Sequence, residues 1–175
     1  MKKLLPWILA PALLVVIFGT IYVTVQQSQR SAANYPQIQL AEDSAAGLNA
    51  GGQPTTLVRG QVNMAASLAP FTIIYDKQGN VVAGSGYLDH QVAKVPLGVL
   101  QAAKTKTYNA VTWQPQAGVR IASVSVAAKG YYVLSGRSLK EVEKNESQSL
   151  QLTLIGGLLS VALLGAMLYT SSIKH

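Results

Sequence analysis

The chain has 175 residues, 49% of them hydrophobic, and its 14 lysine and arginine residues outnumber its 7 acidic residues. It contains no cysteine, which excludes disulfides, thiolate metal sites and cysteine catalysis. The basic residues are scattered and no aromatic residues alternate with them, so the sequence predicts no nucleic-acid binding.

The first apolar segment, residues 4–25, carries no charge and as a helix is long enough to cross the roughly 30 Å hydrocarbon core of a bilayer. A cleaved signal peptide has a shorter apolar region, about 7–15 residues, followed by a site of small residues. The letters YVTVQ after Ile21 offer no such site. We therefore predict an uncleaved signal anchor with a kink at Pro11.

A second uncharged apolar segment, residues 150–170, predicts a second transmembrane helix. Lys2 and Lys3 before the first span and Lys174 after the second predict that both termini are cytoplasmic. The sequence thus predicts a two-span protein of the cell membrane, with an extracytoplasmic domain between its spans.

Residues 26–56 are polar and rich in small side chains, which predicts a linker that is helical in part. Pro36 is expected to interrupt a helix that continues from the first span, because proline lacks the backbone N–H that a helix uses. The glycine-rich and alanine-rich residues 44–56 predict a flexible loop.

Residues 57–138 have the pattern of a compact α+β domain. The clearest feature is a hairpin, in which the β-rich run 71–76 is followed by a turn with Gly79 and a returning strand at 81–86. A helix is predicted at 95–103 and further strands at 108–114, 119–127 and 131–137, whereas residues 57–69 fit either a short helix or a strand.

A juxtamembrane helix is predicted at residues 139–149. The letters SLKE from Ser138 to Glu141 spell a capping box, in which both side chains bond free backbone N–H groups at a helix start. No proline or glycine follows before Gly156, so this helix is expected to continue from the last strand into the second span.

Three segments, TIIYDKQGNVVAGSG, TWQPQAGVRIASV and GYYVLSGRSLKEVEKNE, lead in this order into a membrane helix. This series resembles the extracytoplasmic sensor region of two-span bacterial sensor histidine kinases. The resemblance implies a PAS-like or Cache-like fold, with an antiparallel sheet and flanking helices between two transmembrane helices. No kinase region follows in this sequence, so a sensor-type fold without kinase activity is implied.

Catalytic and metal-binding constellations are not visible in the sequence. There are two histidines, and the one between the spans, His90, follows Asp89. Two adjacent residues make a poor chelate, and one histidine near Ser85 does not spell a serine-hydrolase motif. We therefore expect no enzyme activity, no metal and no cofactor.

Arg120 is the most unusual residue of the predicted domain. Period-two alternation on its strand places it with Ala122, Val124 and Val126, on the more apolar face. An arginine on an apolar face is expected to need an anionic partner.

Two interpretations of Arg120 follow from that placement. In one, Arg120 binds a small anionic ligand in a PAS-like pocket, with Tyr87 or Trp113 as a wall. In the other, it pairs internally with Asp76 or Asp89, or its stem lies along the strand edge while its charge reaches water.

The second span carries two pairs of small residues at helical spacing, Gly156 with Ser160 and Ala162 with Ala166. Such pairs let helices approach closely and predict helix packing, either with a partner or in a homodimer.

These features together favour a sensor-like binding module, anchored in the membrane, that acts on a partner membrane protein and has no enzymatic output of its own. The alternative is a structural accessory subunit that docks on a larger membrane protein complex. A sensor requires a pocket with convergent polar groups. A docking subunit requires an exposed apolar patch.

Overall fold

The computed structural model describes residues 5–173, in two compact units. Residues 5–30 and 143–173 form what we call the helix-pair unit, and Ser31–Val142 form the sheet unit. Lys2, Lys3 and Lys174, on which the predicted orientation depends, lie outside the described residues, as does His175.

Two long helices supply the helix-pair unit. Helix α1 is Leu5–Asn49 and the last helix, α4, is Lys140–Ile173. Each contains a stretch that is long and apolar enough to cross a membrane. The prediction that Pro36 interrupts the first helix is wrong, because α1 continues through it.

The predicted loop at residues 44–56 is also wrong over its first half, since α1 ends only at Asn49. Hydrophobic burial explains the difference, because Ala41, Ala45 and Leu48 lie on one helix face and pack against the sheet. Gly51, with a φ of 92°, follows the helix end.

The sheet unit contains a five-stranded antiparallel sheet, which confirms the predicted α+β class with flanking helices. Its strands are β2 (Phe71–Asp76), β3 (Val81–Gly84), β6 (Asn109–Gln116), β7 (Val119–Ala128) and β8 (Tyr131–Ser138), and they include the predicted ones with small shifts of their ends. Their order in the sheet is β3-β2-β8-β7-β6.

The turn between β2 and β3 is built as the sequence predicts. Gly79 has a φ of 85°, a conformation that glycine adopts without a steric penalty. The Oδ1 atom of Asp76 accepts hydrogen bonds from the backbone N–H groups of Gln78 (2.9 Å) and Asn80 (2.8 Å). These bonds fix the turn and hence the register of the hairpin.

Both faces of the five-stranded sheet are covered. On one face, α1 packs against Ile74, Val124, Val126 and Val133. On the other face lies a larger core that includes Phe71, Ile73, Tyr75, Leu100, Ile121, Tyr132 and Leu134.

The elements over this second face include a small three-stranded sheet in the order β1-β4-β5. Its strands are β1 (Val62–Asn63), β4 (Gly86–Leu88) and β5 (Gln91–Val92). Two short helices, α2 (Pro54–Leu57) and α3 (Leu97–Gln101), and a 3-10 turn (Ala102–Lys104) complete the unit.

The last strand and the last helix are nearly continuous, because β8 ends at Ser138 and α4 begins at Lys140. Ser138 Oγ accepts a hydrogen bond from the Lys140 N–H at 3.3 Å. The N–H that bonds Ser138 is two residues on, not three as in a capping box, and the Glu141 carboxylate accepts from Arg137 at 3.0 Å.

Candidate functional site

Arg120 lies on the helix-covered face of the sheet, as the alternation predicts, but its side chain is exposed. Arg120 lies near the start of β7, before Val124 and Val126, the residues of that strand that pack against α1. Its carbonyl accepts a hydrogen bond from the Leu139 N–H at 2.8 Å.

Trp113 does not accompany Arg120. It pairs with Ile121 across β6 and β7, and neighbouring residues of a strand face opposite sides, so Trp113 and Arg120 lie on opposite faces of the sheet. Trp113 is half-buried and packs against the larger core. Tyr87 belongs to β4, where it pairs with Val92. The structure does not bring Arg120 together with Trp113 in one pocket.

A hairpin joins β4 to β5, and two open clefts flank it. Its tip is a two-residue turn, Asp89 and His90, with φ values of 49° and 64°. Asp and His tolerate positive φ better than most residues, and a two-residue turn with positive φ at both positions suits the twist of a hairpin. Sequence reasoning missed this hairpin, although its turn residues lie between two short β-prone runs.

The first cleft, which we call the Trp113 cleft, has a volume of about 610 Å³. It lies between the β4–β5 hairpin and the end of β6, where the pairing register with β7 shifts after Trp113. Its walls combine an aromatic ring, a cation and amide groups, from Trp113, Lys94, Gln91 and Gln114, and Asp89 contributes an acid.

The second cleft, of about 510 Å³, lies on the other side of the hairpin. Gln61, Asn63, Tyr87 and His90 line it, and Asp89 lines both clefts. Within the described residues 5–173, no group of three or more His, Asp and Glu side chains is placed to hold a metal ion.

The interior between the large sheet and the hairpin is filled by aromatic side chains. Phe71 packs closely against Gly86 and Gly136. The buried Tyr75 hydroxyl donates to the Ala93 carbonyl at 2.9 Å, and burial raises the pKa of Tyr75 above its ordinary value. This region is a packed core, and both clefts lie outside it, on the two sides of the β4–β5 hairpin.

Lys104 lies beside the same core, with its Nζ atom 5.5 Å from the centre of the Tyr132 ring. A cation at this distance over an aromatic face is stabilised by the ring quadrupole. The Tyr132 hydroxyl is buried and has no hydrogen-bond partner among the described residues. Lys104 therefore serves the packing of the core and not the clefts, which it does not line.

In the helix-pair unit, the two pairs of small residues have different surroundings. Gly156 faces Phe18 of α1, whose Cε1 atom lies 3.2 Å from the position of a Cβ at residue 156, and Ser160 is half-buried. Ala162 and Ala166 are exposed. The first pair thus packs the two helices of this unit together, and the second pair points away from them.

Polar contacts join the same two helices near residue 30. Arg30 Nε lies 2.6 Å from Glu146 Oε1, and Gln29 Nε2 lies 3.5 Å from Ser149 Oγ. Glu146 is mostly buried whereas Arg30 is exposed, so the carboxylate is the member of the pair that needs its partner more.

Comparisons with models of known protein families, with curated protein sequences and with solved structures found no match.

Proposed function

We propose that this protein is a membrane-anchored, extracytoplasmic, sensor-like binding module that acts on a partner membrane protein and has no catalytic output. The observation that carries the proposal is the junction of β8 and α4, where Leu139 alone separates the strand from the helix. A strand of the central sheet is thereby linked, with no flexible loop, to a helix able to span a membrane.

Side-chain contacts support a stiff junction. Arg137 donates from Nε to the Leu68 carbonyl and from Nη2 to the Glu141 carboxylate, both at 3.0 Å. One guanidinium thus ties the end of β8 both to a loop of the sheet unit and to the first turn of α4. Because arginine presents its donors in a rigid fork, Arg137 can hold both partners at once.

The Trp113 cleft is the ligand site in this proposal. Its volume lies within the roughly 300–1,000 Å³ of small-molecule sites, and its walls offer one aromatic face with several polar groups. Lys94, and not Arg120, is the cation that lines it. A small ligand with an anionic group that also stacks on an aromatic ring fits these walls best.

The PAS-like or Cache-like identity of the domain and its place outside the cytoplasm belong to the same proposal. The five-stranded antiparallel sheet with helices on it supports the first. The second follows from Lys2, Lys3 and Lys174 together with an even number of spans.

Purification of the tagged full-length protein from its native membrane in mild detergent tests the proposal. We expect one membrane protein to co-purify. The activity of this partner should change when Trp113→Ala removes the aromatic side chain from the cleft wall. Tyr108→Ala, which removes an exposed aromatic residue that does not line the cleft, should have no effect. Equal partner activity with both variants refutes the sensor role and favours the structural accessory subunit.

A further inference from the structure

The two edges of the five-stranded sheet differ in a way that points to an interface. At one edge, β3 has only four residues. At the other, β6 has eight residues, and within the described residues 5–173 no strand pairs with its outer side. An unpaired edge presents a row of backbone donors and acceptors that fits another strand.

Proteins usually protect such an edge with charged side chains, proline or a bulge. The segment Asn109–Gln116 contains no charged residue. Its proline, Pro115, and its register shift both lie at its end, after Trp113. The remaining residues, 109–113, pair regularly with β7 and leave an unprotected edge five residues long.

We propose that β6 pairs with β6 of a second copy of this chain, antiparallel and about a two-fold axis at Val111. In this register Ala110 lies opposite Thr112 of the second copy, and both residues are exposed and small. An isologous pair closes on itself and leaves neither copy with an open β6 edge.

The second copy fits this edge better than an unrelated strand for two reasons. An uncharged strand pairs with itself without the repulsion that like charges cause across a strand pair. If both copies are anchored in one bilayer by the same two helices, their confinement to the membrane also raises the effective concentration of the second copy.

The proposal extends to the Trp113 cleft. In the same register, Asn109 of the second copy lies opposite Trp113, the residue that lines the cleft. Pairing would therefore place the two clefts next to the interface, one on each side of the two-fold axis. This part rests on the proposed ligand site, whereas the strand pairing itself does not.

Cross-linking of the full-length protein in lipid nanodiscs tests the pairing, and the absence of native cysteine makes single-cysteine variants specific. Ala110→Cys places a thiol on the proposed interface, and Val82→Cys places one on the β3 edge, where Val82 is 40% exposed. With a short bis-maleimide linker we expect a cross-linked dimer from A110C and none from V82C.

A second pair of variants tests the chemistry of the edge. Thr112→Lys in the A110C background brings like charges to the interface and should lower the dimer yield several-fold, whereas Val82→Lys should leave it unchanged. A monomeric wild type, a dimer that A110C does not cross-link, or an A110C dimer insensitive to T112K overturns the proposal. If T112K does not fold, the comparison of A110C with V82C decides.

Discussion

Phe71 lies directly opposite Gly136 on β8, and its Cζ atom is 2.6 Å from the position that a Cβ of residue 136 would take. On another side of the ring, the Cδ2 atom of Phe71 lies 2.5 Å from the position that a Cβ of residue 86 would take. The two glycines thus form a slot that the ring fills.

We predict that Gly136→Ala destabilises the sheet unit by about 1–3 kcal/mol, because the added methyl group overpacks a closed core. Gly98→Ala is the matched control, since space at Gly98 is open and its backbone is helical. That change should stabilise by up to about 1 kcal/mol. Urea unfolding of both variants measures the difference, and equal midpoints would contradict it.

Helix α1 should be part of the domain and not a linker to it. A soluble fragment that begins at Ser31 and ends at Val142 should unfold cooperatively. A fragment that begins at Gln53 lacks Ala41, Ala45 and Leu48 and therefore exposes one face of the sheet. This shorter fragment should not unfold cooperatively. Circular dichroism during thermal unfolding compares them. Cooperative unfolding of the shorter fragment would show that α1 is dispensable.

The local sequence patterns predicted the hairpin at 71–84 and the three later strands well, because turn residues and β-prone runs act over short distances. They failed at Pro36 and at residues 44–49, where packing of α1 against a distant sheet outweighs local preference. Period-two alternation assigned Arg120 to the face of β7 that α1 covers, but it could not show that the Arg120 side chain is exposed.

The Asp76 turn predicts a pH dependence. The side-chain amide of Asn80 donates to the Asp76 carboxylate, as do the N–H groups of Asn80 and Gln78, and these bonds lower the pKa of Asp76. A lowered folded-state pKa contributes stability above the unfolded value, which is lost as the pH falls through the folded value. Asp76→Asn should therefore be less stable than wild type at pH ~7 and equal to it in strong acid.

Urea midpoints of wild type and Asp76→Asn from neutral to acid pH measure this convergence. Asn80→Ala keeps the carboxylate but removes its first donor, so it should reproduce part of the loss at neutral pH. A gap between wild type and D76N that stays constant with pH would show that charge is not involved.

The helix pair should depend on Gly156 and not on Ala166. Gly156→Leu places a branched side chain against Phe18 and should force the two helices apart, whereas Ala166→Leu adds bulk on an exposed surface. Cysteines at Gln29 and Ser149, whose side chains touch, report the packing through disulfide formation. We expect G156L to slow that reaction and A166L to leave it unchanged; the same rate in both would argue against this packing.

The proposed coupling from the sheet to the membrane requires an unbroken α4. Ser147 is exposed, so Ser147→Pro loses little packing, but it removes an intrahelical hydrogen bond and clashes with the preceding turn, at a cost of about 3 kcal/mol or more. Ser147→Ala keeps the helix and is the matched control. If the module acts through α4, S147P should insert in the membrane and bind its partner but fail to change the partner's activity. Membrane fractionation, co-purification and partner activity separate these steps. Full activity with S147P would show that α4 is only a tether and that the sheet unit acts by docking outside the membrane.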